Sequence, residues 1–508
     1  MKLSHLIANV DGVSVLRSTD PTVLAVADDS RQVAPATLFV ARPGTTGDGT
    51  QFIADALARG AVALCVDARA DRDEVIAQCS RAGRDVSILV ATDAARASLA
   101  LAQSFHGYPS RALRTIGITG TNGKTTTAFL THHLIRESGA ACGLLGTVFT
   151  DDGAMREPAA LTTPGGCELA AVFSRMVRNT CQCAVMEVSS HALHQGRVDG
   201  IPFAVGVFTN LTGDHLDYHK TIDDYAAAKA RLFRSLAVGS RAVVNCDDPA
   251  HARMVDGCAA GVLRCSTRDS SADCFAEVAR VTLWGMQVRL RGPWGEFSAD
   301  LPAIGTHNAM NSLQAAAAAW SVGVERSALE RGLAGALPPP GRLEPVTAQG
   351  DPFAVLVDYA HTDDALLNVL TAVRPVVGEG RLIVVFGCGG DRDRTKRPRM
   401  ARTAATHADF VIVTSDNPRT ESPDAILDDI CAGFPTPCSA TVERHCDRAV
   451  AIRRAIALAH PGDLVLIAGK GHEDYQIIGR EKFPFDDRVE ARRALDSVAA
   501  TSMQGVST

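Results

Sequence analysis

Two short stretches of this chain carry residue types that do chemistry together. The first is GITGTNGKTTT, residues 117–127. Gly120 and Gly123 let backbone N–H groups approach a phosphate closely. Lys124 reaches the β- and γ-phosphates of a nucleotide, and the Thr125 hydroxyl suits Mg²⁺. Thr121, Asn122 and Thr126 belong to the same cradle, and the following helix points its positive end at the anion. The usual G-x-x-x-x-G-K-[ST] spacing is not met, because Ile118 stands where the first Gly is expected. The competing reading is a Gly-rich strand-to-helix turn with a chance lysine; the strand before and the helix after weigh against it. The second stretch is TSDNPRTESP, residues 414–423, which follows the apolar run ADFVIV. Asp416, Asn417, Pro418 and Arg419 put an acid, an amide, a rigid ring and a guanidinium on one turn. A solvated turn uses similar letters, so the surrounding elements must decide.

Those elements read as parallel α/β layers. Apolar strand-like runs alternate with helical stretches, and the charged or Gly-rich clusters follow the strands. TIGI leads to TGTNGKTTT, CAVM to EVSSHALHQGR, and VGVF to TNLTGDHLDYH. Later, VLV leads to DYAHTDDAL, LIVVF to GCGGDRDRTKRP, VIV to TSDNPR and LVLIA to GKGHEDYQ. Open α/β sheets bind ligands at the carboxyl ends of their strands, so both polar stretches read as parts of a site. TLFVA (37–41) and AVALCVD (61–67) are expected strands of an earlier block. FHGYPSRALR (105–114) has linker character, and ALPPPGR interrupts regular structure near Pro340. The expected blocks are 1–109, 110–340 and 341–508.

Length and composition fit that division. The chain has 508 residues, enough for two to four domains, and 46% hydrophobic residues supply full cores. The net charge of −6 excludes a global basic footprint for nucleic acid, so positive contacts to an anionic ligand must be local. The 14 cysteines show no CxxC pair and no scaffold rhythm, which points to buried, reduced thiols in a cytoplasmic protein rather than zinc or disulfides. MKLSHLIANVDG lacks the apolar core of a secretory signal, and no apolar run reaches membrane-helix length. AAAAAW (315–320) reads as a packed helix.

Around the phosphate loop, Glu187 ends a strand and offers the hard oxygen that Mg²⁺ prefers. Taken alone, His215 reads as a hydrogen-bonded loop histidine and Lys229 as a helix-surface lysine. The order of motifs changes that. GTNGKTTT resembles the ATP loop of the Mur ligases and the folylpolyglutamate synthases, which use ATP to join an amino acid to a carboxylate. MEVSSHAL, FTNLTGDHLDYH, AAAK and VVNCDDP are similar to successive stretches of the Mur ligase family. The resemblance implies that Lys229 is carbamylated and that Thr125, Glu187, His215 and Lys229 hold Mg²⁺. GTHNAMNSLQAAAA resembles the family's adenine contact through Asn308 and Asn311, with His307 where an aromatic is common. Arg342 in GRLEP, and Asp358 and His361 in VDYAHTDDAL, resemble residues that close over ATP. The family usually has Pro at position 363, where this chain has Asp363.

The resemblance spans nearly the whole chain and is strongest to the branch that adds the third peptide residue, the MurE type. It implies three domains: an N-terminal UDP-substrate domain, a central P-loop parallel-sheet ATPase domain and a C-terminal Rossmann-like α/β domain that binds the amino acid. Ser30, Thr45, Thr46 and Gly47 are carried over as contacts to the UDP part. Thr162, Thr163, Ser189, Gln195 and Arg197 are carried over as contacts to the muramoyl-peptide of UDP-N-acetylmuramoyl-L-alanyl-D-glutamate. In that branch DNPR marks a choice of meso-2,6-diaminopimelate over lysine, so the resemblance implies that amino acid here. Arg419 would grip the distal carboxylate with its planar fork, Asp416 and Glu473 would pair with the distal ammonium, and Arg392 and Gly469 would complete the set. The implied protein is a monomeric, cytoplasmic amide ligase with no nucleic-acid or membrane partner. A folylpolyglutamate synthase and a nucleotide-gated binding protein without ligation chemistry are the rivals.

Overall fold

The computed structural model describes residues 1–44, 47–282, 284–348 and 350–505. Contacts divide the chain into two compact units: 1–274 with 292–294 and 313–329, and 275–291 with 295–312 and 330–508. Among the described residues, no helix is long and apolar enough to cross a membrane. All the cysteines are free thiols, and most are buried.

The first unit contains two sheets. In the smaller one, Ala25–Ala27, Thr37–Ala41, Ala61–Asp67 and Ser87–Ala91 run parallel, and Val13–Arg17 closes the edge antiparallel to Ser87–Ala91. The expected strands 37–41 and 61–67 form with those bounds. Thr37–Ala41 is buried at every position, as befits a parallel strand covered on both faces.

In the larger sheet the parallel strands are ordered Gly261–Ser266, Arg241–Asn245, Phe203–Phe208, Arg114–Thr119, Cys183–Glu187 and Cys142–Leu145. Phe149–Asp151 and Arg156–Pro158 extend the edge antiparallel. Three neighbouring strands therefore release three polar motifs at one edge. Arg114–Thr119 leads to the phosphate loop, Cys183–Glu187 ends on Glu187, and Phe203–Phe208 leads to residues 209–215.

The second unit carries a six-stranded sheet: Glu344–Pro345, Ala354–Asp358, Leu464–Ala468, Leu382–Phe386, Phe410–Thr414 and Thr441–His445. All pairs are parallel except the first. Alternate residues of one strand enter different cores. Leu464, Leu466 and Ala468 pack with Leu366, Leu370 and Met400, whereas Val465 and Ile467 pack with Ile452 and Ala491. Helices Asp363–Val377 and Lys396–His407 therefore cover one face, and Arg448–Leu458 and Asp487–Gly505 the other. This is the doubly wound α/β arrangement expected for the C-terminal block.

Candidate functional site

The phosphate loop is held in shape before any ligand arrives. Thr121 N donates to Asn210 O at 3.0 Å, and Asn122 N to Asn210 Oδ1 at 2.9 Å. Thr209 Oγ1 donates to Asn122 O at 2.6 Å, and the hydroxyls of Thr121 and Tyr225 meet at 3.2 Å. Gly120 is required by close approach: a Cβ there would lie 1.8 Å from Thr209 Oγ1. Gly123 precedes helix Lys124–Glu137 in a left-handed conformation, φ 82°, and no side chain caps that helix. An uncapped helix start leaves donors for an anion. Lys124 Nζ donates to Gly120 O at 2.9 Å and to Thr121 O at 2.8 Å.

Lys229 is not the surface lysine that its helix suggests in isolation. It is 1% exposed, donates to Gly120 O at 2.7 Å and lies 4.3 Å from the Tyr225 ring centroid. Burial, reinforced by the Lys124 charge, holds its amine well below the ordinary lysine range, against a weaker opposite pull from Asp214. His215 sits at φ 53° with its ring beside His191, 4.9 Å between centroids.

Glu187 is fully buried and joins the phosphate loop to the residues expected to hold the peptide. Thr125 Oγ1 donates to Glu187 Oε2 at 3.0 Å; Thr147 donates from N to Oε1 at 2.7 Å and from its hydroxyl to Oε2 at 3.2 Å. Thr147 Oγ1 meets Thr162 Oγ1 at 3.1 Å. Thr163 Oγ1 donates to Glu187 O at 2.9 Å and accepts from Ser189 N at 3.0 Å. Arg197 Nη1 donates to Thr163 O at 3.1 Å, and its Nε and Nη2 grip Gln195 Oε1. Burial and the nearby Arg42 charge push the Arg197 guanidinium below its ordinary value, so an anion there would be welcome. Thr162, Thr163, Ser189, Gln195 and Arg197 thus fall into one network with Thr125. The Glu187 carboxylate and the Thr125 hydroxyl, 3.0 Å apart, are hard oxygens of the kind that fits Mg²⁺. Among the described residues, no group of three or more His, Cys, Asp or Glu could hold a metal ion.

A cavity of about 590 Å³ in the same unit is lined by Ser30, Arg42, Gly47, Phe52, Leu161 and Gly165. It brings Ser30 and Gly47 to the segment that precedes Thr162 and follows Thr163. Thr45 and Thr46 lie outside the described residues. The sequence reading missed Asp28, which accepts from Arg42 Nε at 2.8 Å and Ser98 Oγ at 3.0 Å, and Thr147, which holds Glu187. Neither carries a motif of its own.

The other expected residues lie in the second unit. Asn308 Nδ2 donates to Ile304 O at 2.8 Å, and Asn311 Nδ2 to Asn308 Oδ1 at 3.1 Å, at the start of helix Thr306–Ser321. Asp358 is buried and accepts from Leu343 N at 2.7 Å and Ala360 N at 2.8 Å; burial raises its pKa against those donors and Arg342. Arg342 lies over the Tyr359 ring at 4.9 Å, and its buried Nε has no hydrogen-bond partner among the described residues. His361 Nδ1 meets Tyr359 O at 2.8 Å. Asp363, the departure from the family pattern, is the first residue of helix Asp363–Val377, capped by Thr362. Both Pro and Asp are favoured at a helix start, one for its fixed φ and the other for its charge, so the exchange leaves the turn intact.

The DNPR turn is buried at Asp416, Asn417 and Pro418. Asn417 Oδ1 accepts from Lys470 Nζ and Ile477 N, both at 2.9 Å, and Asn417 Nδ2 donates to Glu473 Oε2 at 2.9 Å. Burial alone would raise the Asp416 pKa, but Lys470 and Arg448 hold the carboxyl below its ordinary value. Arg419 has φ 51° and donates from Nη1 to Gly390 O at 2.8 Å. Gly390 is dictated by contact, since a Cβ would lie 1.9 Å from Pro418 O. Arg419 N donates to Ile477 O at 3.1 Å and Gly479 N to Arg419 O at 2.7 Å, which ties the turn to the hairpin Tyr475–Ile478/Glu481–Pro484. Gly469 N donates to Asp358 O at 3.0 Å, and Arg392 is exposed on the loop after Gly390. Beneath the turn, Arg448 forms a bidentate ion pair with Asp487, both bonds 2.7 Å, and donates to Ala468 O at 3.0 Å. Lys470, Arg448, Asp487 and the hairpin escaped the sequence reading. The lysine inside GKGHE is the one signal that could have found any of them.

Comparison with known proteins gives matches along the chain. Family models match at residues 23–98 (Mur ligase family, catalytic domain), 118–319 (Mur ligase middle domain) and 341–471 (Mur ligase, glutamate ligase domain). The chain is 43% identical to the UDP-N-acetylmuramoyl-L-alanyl-D-glutamate–2,6-diaminopimelate ligase of Trichormus variabilis, across 97% of this chain and 99% of that protein. A solved structure of a ligase of that name is 32% identical, with a TM-score of 0.69, and covers 98% of this chain and 99% of its own. MurF from Thermotoga maritima in complex with ADP shares the fold at 18% identity and a TM-score of 0.61, covering 89% and 94%.

Proposed function

This chain belongs to the Mur ligase family, and from that premise we propose that it joins meso-2,6-diaminopimelate to UDP-N-acetylmuramoyl-L-alanyl-D-glutamate in an ATP-dependent amide ligation. The observation that carries the choice of amino acid is the buried DNPR turn, which holds Asp416 and Arg419 at a strand end beside Glu473. Residues 1–109 would hold the UDP part, 110–340 ATP, and 341–508 the amino acid.

The γ-carboxylate of D-glutamate attacks the γ-phosphate of ATP; the bond to the bridging oxygen breaks, ADP leaves, and an acyl-phosphate forms. Lys124, already folded over the loop, neutralises charge that develops on the transferring phosphoryl group. The loop backbone and the start of helix Lys124–Glu137 hold the remaining phosphates. Asn308 and Asn311 are assigned to adenine, and Arg342, with its unpartnered Nε, and Asp358 to the rest of the nucleotide. Arg197 pairs with the anionic acceptor, with Thr162, Thr163, Ser189 and Gln195 around it. The amine of the L-centre of diaminopimelate then attacks the acyl-phosphate, and the tetrahedral intermediate expels phosphate to leave the amide. Mg²⁺, held by Thr125, Glu187, His215 and a carbamylated Lys229, would supply charge neutralisation on the phosphates. The free thiols suit a reducing compartment, and we assign the enzyme to the cytoplasm as a monomer.

Phosphate release, measured with a panel of acceptors and amino acids, tests the reading. Turnover should require ATP, the UDP-muramoyl dipeptide and diaminopimelate together. Release that ignores the amino acid, or that proceeds with a folate acceptor instead, would sink it.

A further inference from the structure

Lys470 has no part in the reaction just described, yet it lies against both carboxylates assigned to the distal ammonium of diaminopimelate, Asp416 and Glu473. Its side chain is 0% exposed. Its ammonium donates to Asn417 Oδ1 at 2.9 Å and Glu473 Oε2 at 3.3 Å, and stands 3.7 Å from Asp416 Oδ1. Resting on the diaminopimelate reading above, we propose that Lys470 sets the net charge of the amino-acid pocket, and thereby its preference for a zwitterionic over a cationic side chain.

The charges can be counted. Asp416 and Glu473 are negative, Lys470 and Arg419 positive, and the four sum to zero. The distal end of diaminopimelate carries one ammonium and one carboxylate, which also sum to zero. The distal end of lysine carries a single positive charge. Without Lys470 the pocket would sum to −1, the complement of lysine. The count matters because the cluster is buried, with Asp416 at 6% and Asn417 at 4% exposure, and a charge left uncompensated in such a place is strongly unfavourable. Arg448 does not alter the sum, because Asp487 neutralises it. Arg392 is exposed, so solvent screens its charge and it stands outside the sum of the cluster.

Lys470 also sets the sense of an amide. With Lys470 Nζ and Ile477 N both donating to Asn417 Oδ1, the Asn417 Nδ2 group must face Glu473, where it donates at 2.9 Å. Both bonds to Glu473 fall on Oε2. Lysine and amide therefore hold one oxygen of a carboxylate whose other oxygen is the one to offer an incoming ammonium.

The test is the ratio of kcat/KM for meso-diaminopimelate to that for L-lysine, measured on the full chain with ATP and saturating UDP-acceptor. Lys470→Met should lower the ratio by about tenfold or more while the KM for ATP stays within about twofold. Lys470→Arg keeps the charge and should keep most of the preference. Lys470→Met combined with Glu473→Gln restores a sum of zero and should recover it. Glu473→Gln alone makes the sum +1 and should move the ratio the opposite way, which decides the matter even if Lys470→Met does not fold. A ratio that stays put, or an equal loss for both amino acids, overturns the inference, because a lysine that merely packs the turn would damage both alike. A wild-type enzyme that ignores diaminopimelate overturns the proposed function and this inference with it; a wild type that uses it, with an unmoved ratio in the variants, overturns this inference alone.

Discussion

Lys124 and Lys229 donate to one acceptor, the backbone carbonyl of Gly120, at 2.9 and 2.7 Å. Two ammonium groups on one oxygen, one of them buried, oppose each other. The pair is relieved if Lys229 becomes an anion, and its lowered pKa favours the neutral amine that reacts with CO₂. Amine and CO₂ give a carbamate and release one proton, which turns a like-charge pair into an ion pair.

Lys229 is accordingly expected to carry a carbamate. Intact-mass analysis under CO₂-retaining conditions should find the added mass, and Lys229→Ala should lose turnover with partial rescue by a small carboxylate. A free amine throughout, with no rescue, would remove the assignment.

Lys124→Ala should abolish phosphate release while the far-UV circular dichroism spectrum stays native. The loop keeps its ties to Asn210 and Thr209 without Lys124, so the fold does not rest on it. Near-normal release by the folded variant would end the ATP-loop assignment.

Arg419→Ala should impair use of diaminopimelate far more than that of ATP or the UDP-acceptor. Hydrogen bonds to charged groups contribute roughly 1.5–3 kcal/mol, so the loss in kcat/KM should be on the order of tenfold to a hundredfold or more. Kinetics with each substrate varied in turn decide it; an unchanged preference over lysine would reduce DNPR to a turn.

Acid should weaken the first unit through His219. This ring is buried, meets Ser190 Oγ at 3.0 Å, and has its pKa pushed down to about 4, chiefly by burial and then by the His191, His194 and His215 rings. The folded value lies below the unfolded one, near 6.5, so the unfolded chain binds more protons between the two. The His219 contribution is complete above about pH 6.5 and is lost as pH falls towards 4, by at most roughly 3 kcal/mol. Urea midpoints at pH 7 and 4.5 should therefore drop further for wild type than for His219→Asn. Equal drops would count against it.

Strand-then-polar-cluster order was enough to bring most of the candidate residues to sheet edges, because parallel sheets put such clusters at one edge. Glu187 at a strand end and the loop before helix Lys124–Glu137 were legible that way. The burial of Lys229 was not, since YAAAKARLF does not show which helix face the sheet covers. Lys470 and the Arg448–Asp487 pair were hidden for another reason. Their meaning lies in partners 39 and 53 residues away, as for Arg448 with Asp487 and Lys470 with Asn417, which no local pattern displays. Asp363 looked like a departure and proved to be an ordinary helix start.

The hairpin Tyr475–Ile478/Glu481–Pro484 gives the DNPR turn a second owner. Arg419 holds its left-handed backbone while bonded on both sides to Ile477 and Gly479, and Gln476 Nε2 donates to Asp416 O at 2.6 Å. Four letters transplanted into another ligase would arrive without the strand that keeps them in shape. If the DNPR turn sets substrate choice as proposed, the transferable cassette is discontinuous: DNPR, the GKGHE loop and the hairpin must travel together, and an insertion at the hairpin tip would retune that choice from outside the turn.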